Sequence, residues 1–192
     1  MKYKLATALV LTSLFAGPAF CTTISFAGGG GILGSSHTYG SGSNAVTAYA
    51  SGSNKLYGKS GGGTENGLGI YDDGENEITN SNFVQLDLTN ITTPFSLSIG
   101  STQKTEGFKL CFSSVLGTRG SSCTDFPTPG SDPFATPFSI KGERYVAIQA
   151  DCKGNVLIDS LTTTATPEPS SLLLLGTGII GAAGFIRRKF TV

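Results

Sequence analysis

The sequence contains no tryptophan, one histidine and one methionine, and only 14% of its 192 residues are charged. Because His37 is the sole histidine, the chain has no histidine cluster of the kind that holds a catalytic zinc ion. The absence of tryptophan removes the largest aromatic side chain that can stack on a ligand. The composition therefore argues against a zinc hydrolase, and we expect a protein that is not an enzyme.

Long helices are also missing from the middle of the chain, since residues 20–165 have no sustained apolar stripe with a 3.6-residue period. Apolar and polar residues instead alternate along 84–89 and 95–100, and 108–112 continues the pattern. Residues 28–63 are rich in glycine and serine, and we expect short strands with large loops there. The pattern predicts an all-β exported domain over 20–165, an antiparallel β-sandwich or jelly roll of seven to nine short strands.

The N-terminus has the features of a secretory signal peptide. Lys2 and Lys4 precede an apolar stretch at 5–17, and small residues follow up to Ala19. We predict a signal peptide helix at 1–19, removed by signal peptidase. Cleavage after Ala19 retains Cys21 and cleavage after Cys21 removes it, and the sequence leaves both open.

The C-terminal residues 166–192 contain the longest apolar run of the chain. Residues 172–186 have no ionisable group, and Arg187, Arg188 and Lys189 follow directly. A helix of this length reaches about 22 Å, shorter than the hydrocarbon core of about 30 Å. A basic cluster after an apolar helix marks the cytoplasmic side, so we predict a transmembrane helix at 172–186 with the preceding domain outside.

Pro167, Glu168 and Pro169 precede this helix. The ordered set of Pro-Glu-Pro, apolar helix and basic cluster resembles the PEP-CTERM sorting signal of bacterial surface proteins. The resemblance implies an exosortase, a membrane processing enzyme, as partner. It also implies inner-membrane anchoring during sorting, followed by a cell-surface or extracellular location.

The formal net charge of zero conceals an acidic domain. Five of the 13 Lys/Arg but only one of the 13 Asp/Glu lie in the two terminal signals, which leaves eight cations against twelve anions, or about −4, between them. A mildly acidic domain has no electrostatic footprint for nucleic acid, and we expect no nucleic-acid partner.

Four cysteines occur, at Cys21, Cys111, Cys123 and Cys152. In an exported chain we expect disulfides rather than metal ligands. Cys111 and Cys123 flank a glycine-bearing turn, so a bridge across a hairpin is the favoured pairing, which leaves Cys21 for Cys152 if Cys21 is retained. Four cysteines allow three pairings, and the sequence does not decide among them.

The most polar segment is 65–77, and oxygen donors around glycines are what a calcium ion uses. Asp159 adds a carboxylate within an apolar strand, where it requires a partner. This ending resembles the last strand of jelly-roll carbohydrate-binding modules, in which such an Asp ligates a structural calcium. The candidate calcium ligands are Glu65, Asp72, Asp73, Glu75, Glu77 and Asp159. A solvated acidic turn is the alternative interpretation.

Three functions are compatible with these features. The leading one is a non-enzymatic surface or matrix β-sandwich associated with extracellular polysaccharide. The second is a carbohydrate-binding module with structural calcium, whose stacking faces would be Tyr39, Tyr49, Tyr57 and Tyr71. The third is a secreted hydrolase that uses the paired carboxylates Glu65 and Glu77.

Overall fold

The computed structural model describes residues 21–62, 65–102, 106–127, 132–138, 142–151, 154–163 and 177–178. The predicted signal peptide, Cys152, the Pro-Glu-Pro residues and the basic cluster lie outside the described residues. Thr177 and Gly178, within the predicted helix at 172–186, are helical. Among the described residues, no helix has both the length and the apolar composition needed to cross a membrane.

The described part of the domain is built from thirteen strands. They are β1 (Thr23–Ser25), β2 (Gly31–Gly34), β3 (Ser36–Tyr39), β4 (Val46–Ala50), β5 (Leu56–Ser60), β6 (Asn66–Ile70), β7 (Val84–Asp87), β8 (Phe95–Gly100), β9 (Phe108–Ser113), β10 (Ser122–Phe126), β11 (Phe134–Phe138), β12 (Tyr145–Ala150) and β13 (Leu157–Thr163). Short 3-10 turns occur at Gly42–Asn44 and Gly74–Asn76.

The strands form two antiparallel sheets. The seven-stranded sheet has the order β11-β8-β13-β6-β5-β2, and β1 pairs with the second half of β13. The six-stranded sheet has the order β10-β9-β12-β7-β4-β3. The all-β, two-sheet prediction is confirmed for the described residues. The predicted count of seven to nine strands is wrong, because β2, β3, β6 and β10 are short and rich in glycine or polar residues and lack an apolar alternation.

One apolar core lies between the sheets and explains why the strands form where they do. Alternate residues of each central strand face inward and lose all contact with solvent, as the period of two requires. The largest fully buried side chains are Phe26, Phe95, Phe108, Leu56, Leu68, Ile70, Ile78, Leu86, Leu97, Ile99, Leu110 and Ile148.

The first and last strands of the described domain lie together. Thr163 N donates to Thr22 O at 2.9 Å, and Thr22 N donates to Thr163 Oγ1 at 3.2 Å. The described domain therefore begins and ends at the same end of the sandwich. Since β13 runs away from Val156, the opposite end lies about 20 Å from Thr163 at the rise of an extended strand.

Glycines on the outer side of β6 let the acidic segment fold back over the seven-stranded sheet. Leu68 and Ile70 point into the core, so Gly67 and Gly69 face outward. A Cβ built on Gly69 would overlap the carbonyl oxygen of Asn76 and lie 2.9 Å from the Cα of Glu77. The backbone of this segment therefore rests on the sheet where a side chain would otherwise stand.

The Cys111–Cys123 pairing is confirmed. The two residues lie directly opposite each other on β9 and β10, and their Cα atoms are 4.0 Å apart. Cys111 does not belong to the core cluster between the sheets, yet it is fully buried. Cys21 is a free, exposed thiol that donates to the carbonyl of Thr163 at 2.8 Å, and Cys152, its predicted partner if Cys21 is retained, lies outside the described residues.

Replacing both Cys111 and Cys123 by alanine is expected to lower the free energy of unfolding by about 2 to 3 kcal/mol. The disulfide closes a loop with a sequence separation of 12, and a loop of that length restricts the unfolded chain by this amount. Urea denaturation of the double variant and of wild type measures the difference. Cys21→Ala is the control and should match wild type; equal midpoints for all three proteins would contradict the prediction.

Candidate functional site

The central polar feature is a cluster on the outer side of the seven-stranded sheet, formed by Lys59, Glu65, Glu77 and Ser101 and called the Lys59 cluster below. Lys59 Nζ donates to Glu65 Oε2 at 2.8 Å and also to Glu77 Oε1. Ser101 Oγ donates to Glu77 Oε2 at 2.9 Å and lies 3.3 Å from Glu65 Oε1. One ammonium group thus holds two carboxylates together.

The two carboxylates differ in their exposure to solvent. The Glu77 side chain is 5% exposed and the Glu65 side chain is 37% exposed. Desolvation raises the pKa of Glu77 above its ordinary value, and its bonds to Lys59 and Ser101 offset this only in part. The bond from Lys59 lowers the pKa of Glu65. Burial alone would lower the pKa of Lys59, but its two carboxylate partners outweigh burial and raise it.

An exposed aromatic surface lies beside this cluster on the same sheet. Tyr57 and Tyr71 have ring centroids 6.1 Å apart with an interplanar angle of 31°. Ile32 lies directly opposite Tyr57 in the register of β2 and β5. Ile32 is 52% exposed and Tyr71 is 44% exposed. These three residues, called the tyrosine platform below, form an apolar patch in which Ile32 and Tyr71 are exposed and Tyr57 is half-buried.

The other two tyrosines proposed as stacking faces are elsewhere. Tyr39 is 9% exposed and packs edge-on against Phe26 at 4.8 Å in the core. Its hydroxyl has no hydrogen-bond partner among the described residues, and burial raises its pKa to about 12. Tyr49 lies on β4 in the six-stranded sheet. The expectation that Tyr39 is a stacking face is therefore wrong, because β3 carries it into the core.

A polar depression of about 420 Å³ lies at the end of the sandwich opposite Thr163. Its position follows from the bridge between Ile78 and Val156, which brings the acidic segment to the start of β13. Three carboxylates line it, those of Asp73, Glu106 and Asp151, together with the polar side chains of Thr79, Asn80, Ser81 and Asn155. Thr79 Oγ1 donates to both carboxylate oxygens of Asp73 at 2.9 Å, which fixes one wall.

The six acidic residues predicted as calcium ligands do not form one site. Glu65 and Glu77 meet at Lys59, whereas Asp73 accepts from Thr79 and from Asn82 Nδ2. Asp72 and Glu75 are exposed, and the carboxylate of Asp159 accepts from Ser160 Oγ at 3.1 Å. In the part of the chain that the structure describes, no three His, Cys, Asp or Glu side chains are grouped to hold a metal ion.

The sequence reasoning missed the residues that complete these features. Lys59 and Tyr57 alternate with Leu56 and Gly58 along β5, so a period of two was present, but the glycine-rich surroundings concealed it. Ser101, Asn80 and Asn155 come from three separate loops, and nothing local in the sequence indicates that they approach the acidic segment.

The C-terminal residues are the part of the chain that matches a known family. Residues 165–189 match the family described as the PEP-CTERM protein-sorting motif, a range that includes Pro167-Glu168-Pro169 and ends at Lys189. The chain carries a PEP-CTERM sorting motif. No curated protein and no solved structure matches the chain.

The PEP-CTERM motif makes the chain a substrate of exosortase. It implies that the protein is exported, held at the membrane during sorting and then placed at the surface. The β domain is thus the part that is delivered, and the sorting motif begins two residues after Thr163.

Proposed function

We propose that this PEP-CTERM protein is a non-enzymatic surface protein whose β-sandwich binds extracellular polysaccharide through the tyrosine platform. The observation that carries the proposal is the Tyr57–Tyr71 pair on the outer face of the seven-stranded sheet, in which Tyr71 is exposed and Tyr57 is half-buried. Tyrosine rings present an apolar face with a polar edge, which suits a ligand that is apolar on one face and hydroxylated at its rim. The proposal includes removal of residues 1–19 by signal peptidase and membrane anchoring through 172–186.

The Lys59 cluster supports a structural rather than a hydrolytic role. A glycosidase requires two carboxylates that both reach the substrate. Here Glu77 is almost completely buried, and both carboxylates are occupied by Lys59 and Ser101. We therefore assign these carboxylates to holding the acidic segment on the sheet, and we do not favour the hydrolase interpretation.

Replacing Tyr57 or Tyr71 by alanine is expected to weaken polysaccharide binding about tenfold. Each change removes one ring of the platform, and an aromatic contact contributes about 0.5 to 1.5 kcal/mol, of which the upper value corresponds to about tenfold in affinity. The measurement is retention of the full chain, purified in detergent, on gels containing polysaccharide from the native host.

Tyr49→Ala is the matched control, because Tyr49 lies on the other sheet and should bind like wild type. Wild-type retention that survives in both Tyr57→Ala and Tyr71→Ala would remove the platform from the proposal. Failure of the wild-type protein to be retained at all would remove polysaccharide binding itself.

A further inference from the structure

The polar depression and the tyrosine platform lie on the two sides of one short segment, residues 72–77, which is called the ridge below. Tyr71 precedes the ridge, and Asp73 within it lines the depression. Tyr71 and Asp73 are two positions apart in the sequence, so their Cα atoms are separated by at most about 7 Å. The backbone of Asn76 rests on Gly69, which is the cross-strand neighbour of Tyr57. The ridge therefore borders the platform along its length.

The ridge is fixed by hydrogen bonds to its own residues and to a separate loop. Asp72 N donates to Asn76 Oδ1 at 3.0 Å, and Glu77 N donates to Asp73 O at 2.9 Å. Asn155 Nδ2 donates to Gly74 O at 3.2 Å, which ties the ridge to the loop before β13. A wall held in this way keeps the depression and the platform at a constant separation, so a ligand does not have to order them on binding.

The depression offers hydrogen-bonding groups suited to hydroxylated ligands. The carboxylate of Asp73 accepts from Thr79 and Asn82, and a carboxylate has about four acceptor positions, so capacity remains. Asn80 and Ser81 line the same space and supply an amide and a hydroxyl. A ligand carrying its own carboxylate would meet the carboxylates of Asp73, Glu106 and Asp151, whereas a neutral hydroxylated ligand would bring no like charge to them.

The depression also lies at the end of the sandwich away from Thr163. Thr163, the last described residue of β13, lies two residues before the sorting motif in the sequence. The depression is thus clear of the place where the chain leaves the domain.

We propose that the depression is a second subsite for a neutral polysaccharide, which binds the hydroxyl groups of the sugar unit adjacent to the one stacked on the tyrosine platform. This inference rests on the proposed function. It adds that the ligand is recognised as a chain, across the ridge, rather than as a single sugar.

The test compares neutral hexasaccharides of glucose, galactose and mannose with the matching disaccharides, by calorimetry on the full chain in detergent. Wild type is expected to bind at least one hexasaccharide about tenfold more tightly than its disaccharide. Ser81→Arg fills the depression from an exposed position and is expected to abolish that gain while disaccharide binding stays unchanged. Ser43→Arg, at an exposed turn, introduces the same charge and should behave as wild type.

Four other results would overturn the inference. A chain-length gain retained in Ser81→Arg, or the absence of any gain in wild type, removes the second subsite while leaving the platform in place. Equal loss in Ser43→Arg shows a charge effect rather than occupancy of the depression. Absence of binding by every neutral hexasaccharide, in a protein that the host polysaccharide retains, removes this inference and leaves the proposed function in place.

Discussion

Gly69→Ala is expected to lower the free energy of unfolding by about 3 to 5 kcal/mol, one of the two largest effects in this protein. The added methyl group would overlap the carbonyl oxygen of Asn76. This oxygen belongs to the backbone, so no side-chain rotation can relieve the overlap. The ridge must lift from the sheet, and it would carry Glu77 away from Lys59. Loss of packing and loss of an ion pair would then add together.

Urea denaturation of wild type, Gly69→Ala and Gly28→Ala measures this effect. Gly28 is exposed and has no atom within 4 Å of a built Cβ, so its substitution should change stability by no more than about 0.5 kcal/mol. If Gly69→Ala is as stable as Gly28→Ala, the ridge is not held against β6 in the way described.

The central strands could be predicted from the sequence because each has a buried face. Val84 and Leu86 in β7, and Leu97 and Ile99 in β8, alternate with polar residues, and burial of one face enforces that pattern. The Cys111–Cys123 bridge could be predicted for a related reason, since a turn between two nearby cysteines brings them opposite each other. Both predictions depend on short-range order in the chain.

The Lys59 cluster could not be predicted from short-range order. Glu77 is 18 residues from Lys59 and Ser101 is 24 residues from Glu77, so their approach depends on strand register and on the path of the ridge over Gly69. The sequence indicated the acidic segment but not the cation that neutralises it. For that reason the sequence alone predicts calcium binding or hydrolysis for Glu65 and Glu77, whereas in the fold both carboxylates bind Lys59.

Tyr39 shows that the exposure of a single residue could not be predicted from composition either. A tyrosine in a glycine- and serine-rich segment was expected to be exposed, because such segments usually form surface loops. Pairing of β3 with β4 and contact with Phe26 instead place this ring in the core. Composition predicts the average exposure of a segment, but the register of a short strand decides it for each residue.

Lys59→Met is expected to lower the free energy of unfolding by about 3 to 4 kcal/mol at pH 7.5. Methionine preserves much of the side-chain volume but leaves Glu77, which is 5% exposed, without its counter-ion. Removing one partner of a buried ion pair is costly because the other charge stays desolvated. Lys55→Met is the control, since Lys55 is exposed and should change stability by no more than about 0.5 kcal/mol.

A double variant separates the charge from the packing. Adding Glu77→Gln to Lys59→Met removes the uncompensated charge, so the double variant should recover part of the lost stability, and the difference gives the coupling between the two residues. If the double variant is instead less stable than Lys59→Met by the full effect of Glu77→Gln alone, the two side chains act independently. The ion pair would then contribute nothing measurable.

The pH dependence of Lys59→Met gives an independent check on the same cluster. Burial raises the pKa of Glu77, so ionisation costs the folded protein more than the unfolded chain, and stability should rise as pH falls through this raised pKa toward the ordinary Glu value of about 4.3. Lys59 partly lowers this raised pKa in wild type, so its removal raises the pKa of Glu77 further, and the variant gains more stability than wild type as pH falls. Glu65 does not contribute in this range, because the stabilisation from its lowered pKa is lost only below the ordinary Glu value. The stability gap between wild type and Lys59→Met should therefore narrow between pH 8 and pH 5. A gap that stays constant over that range would mean that Glu77 is not a buried, ionised partner of Lys59.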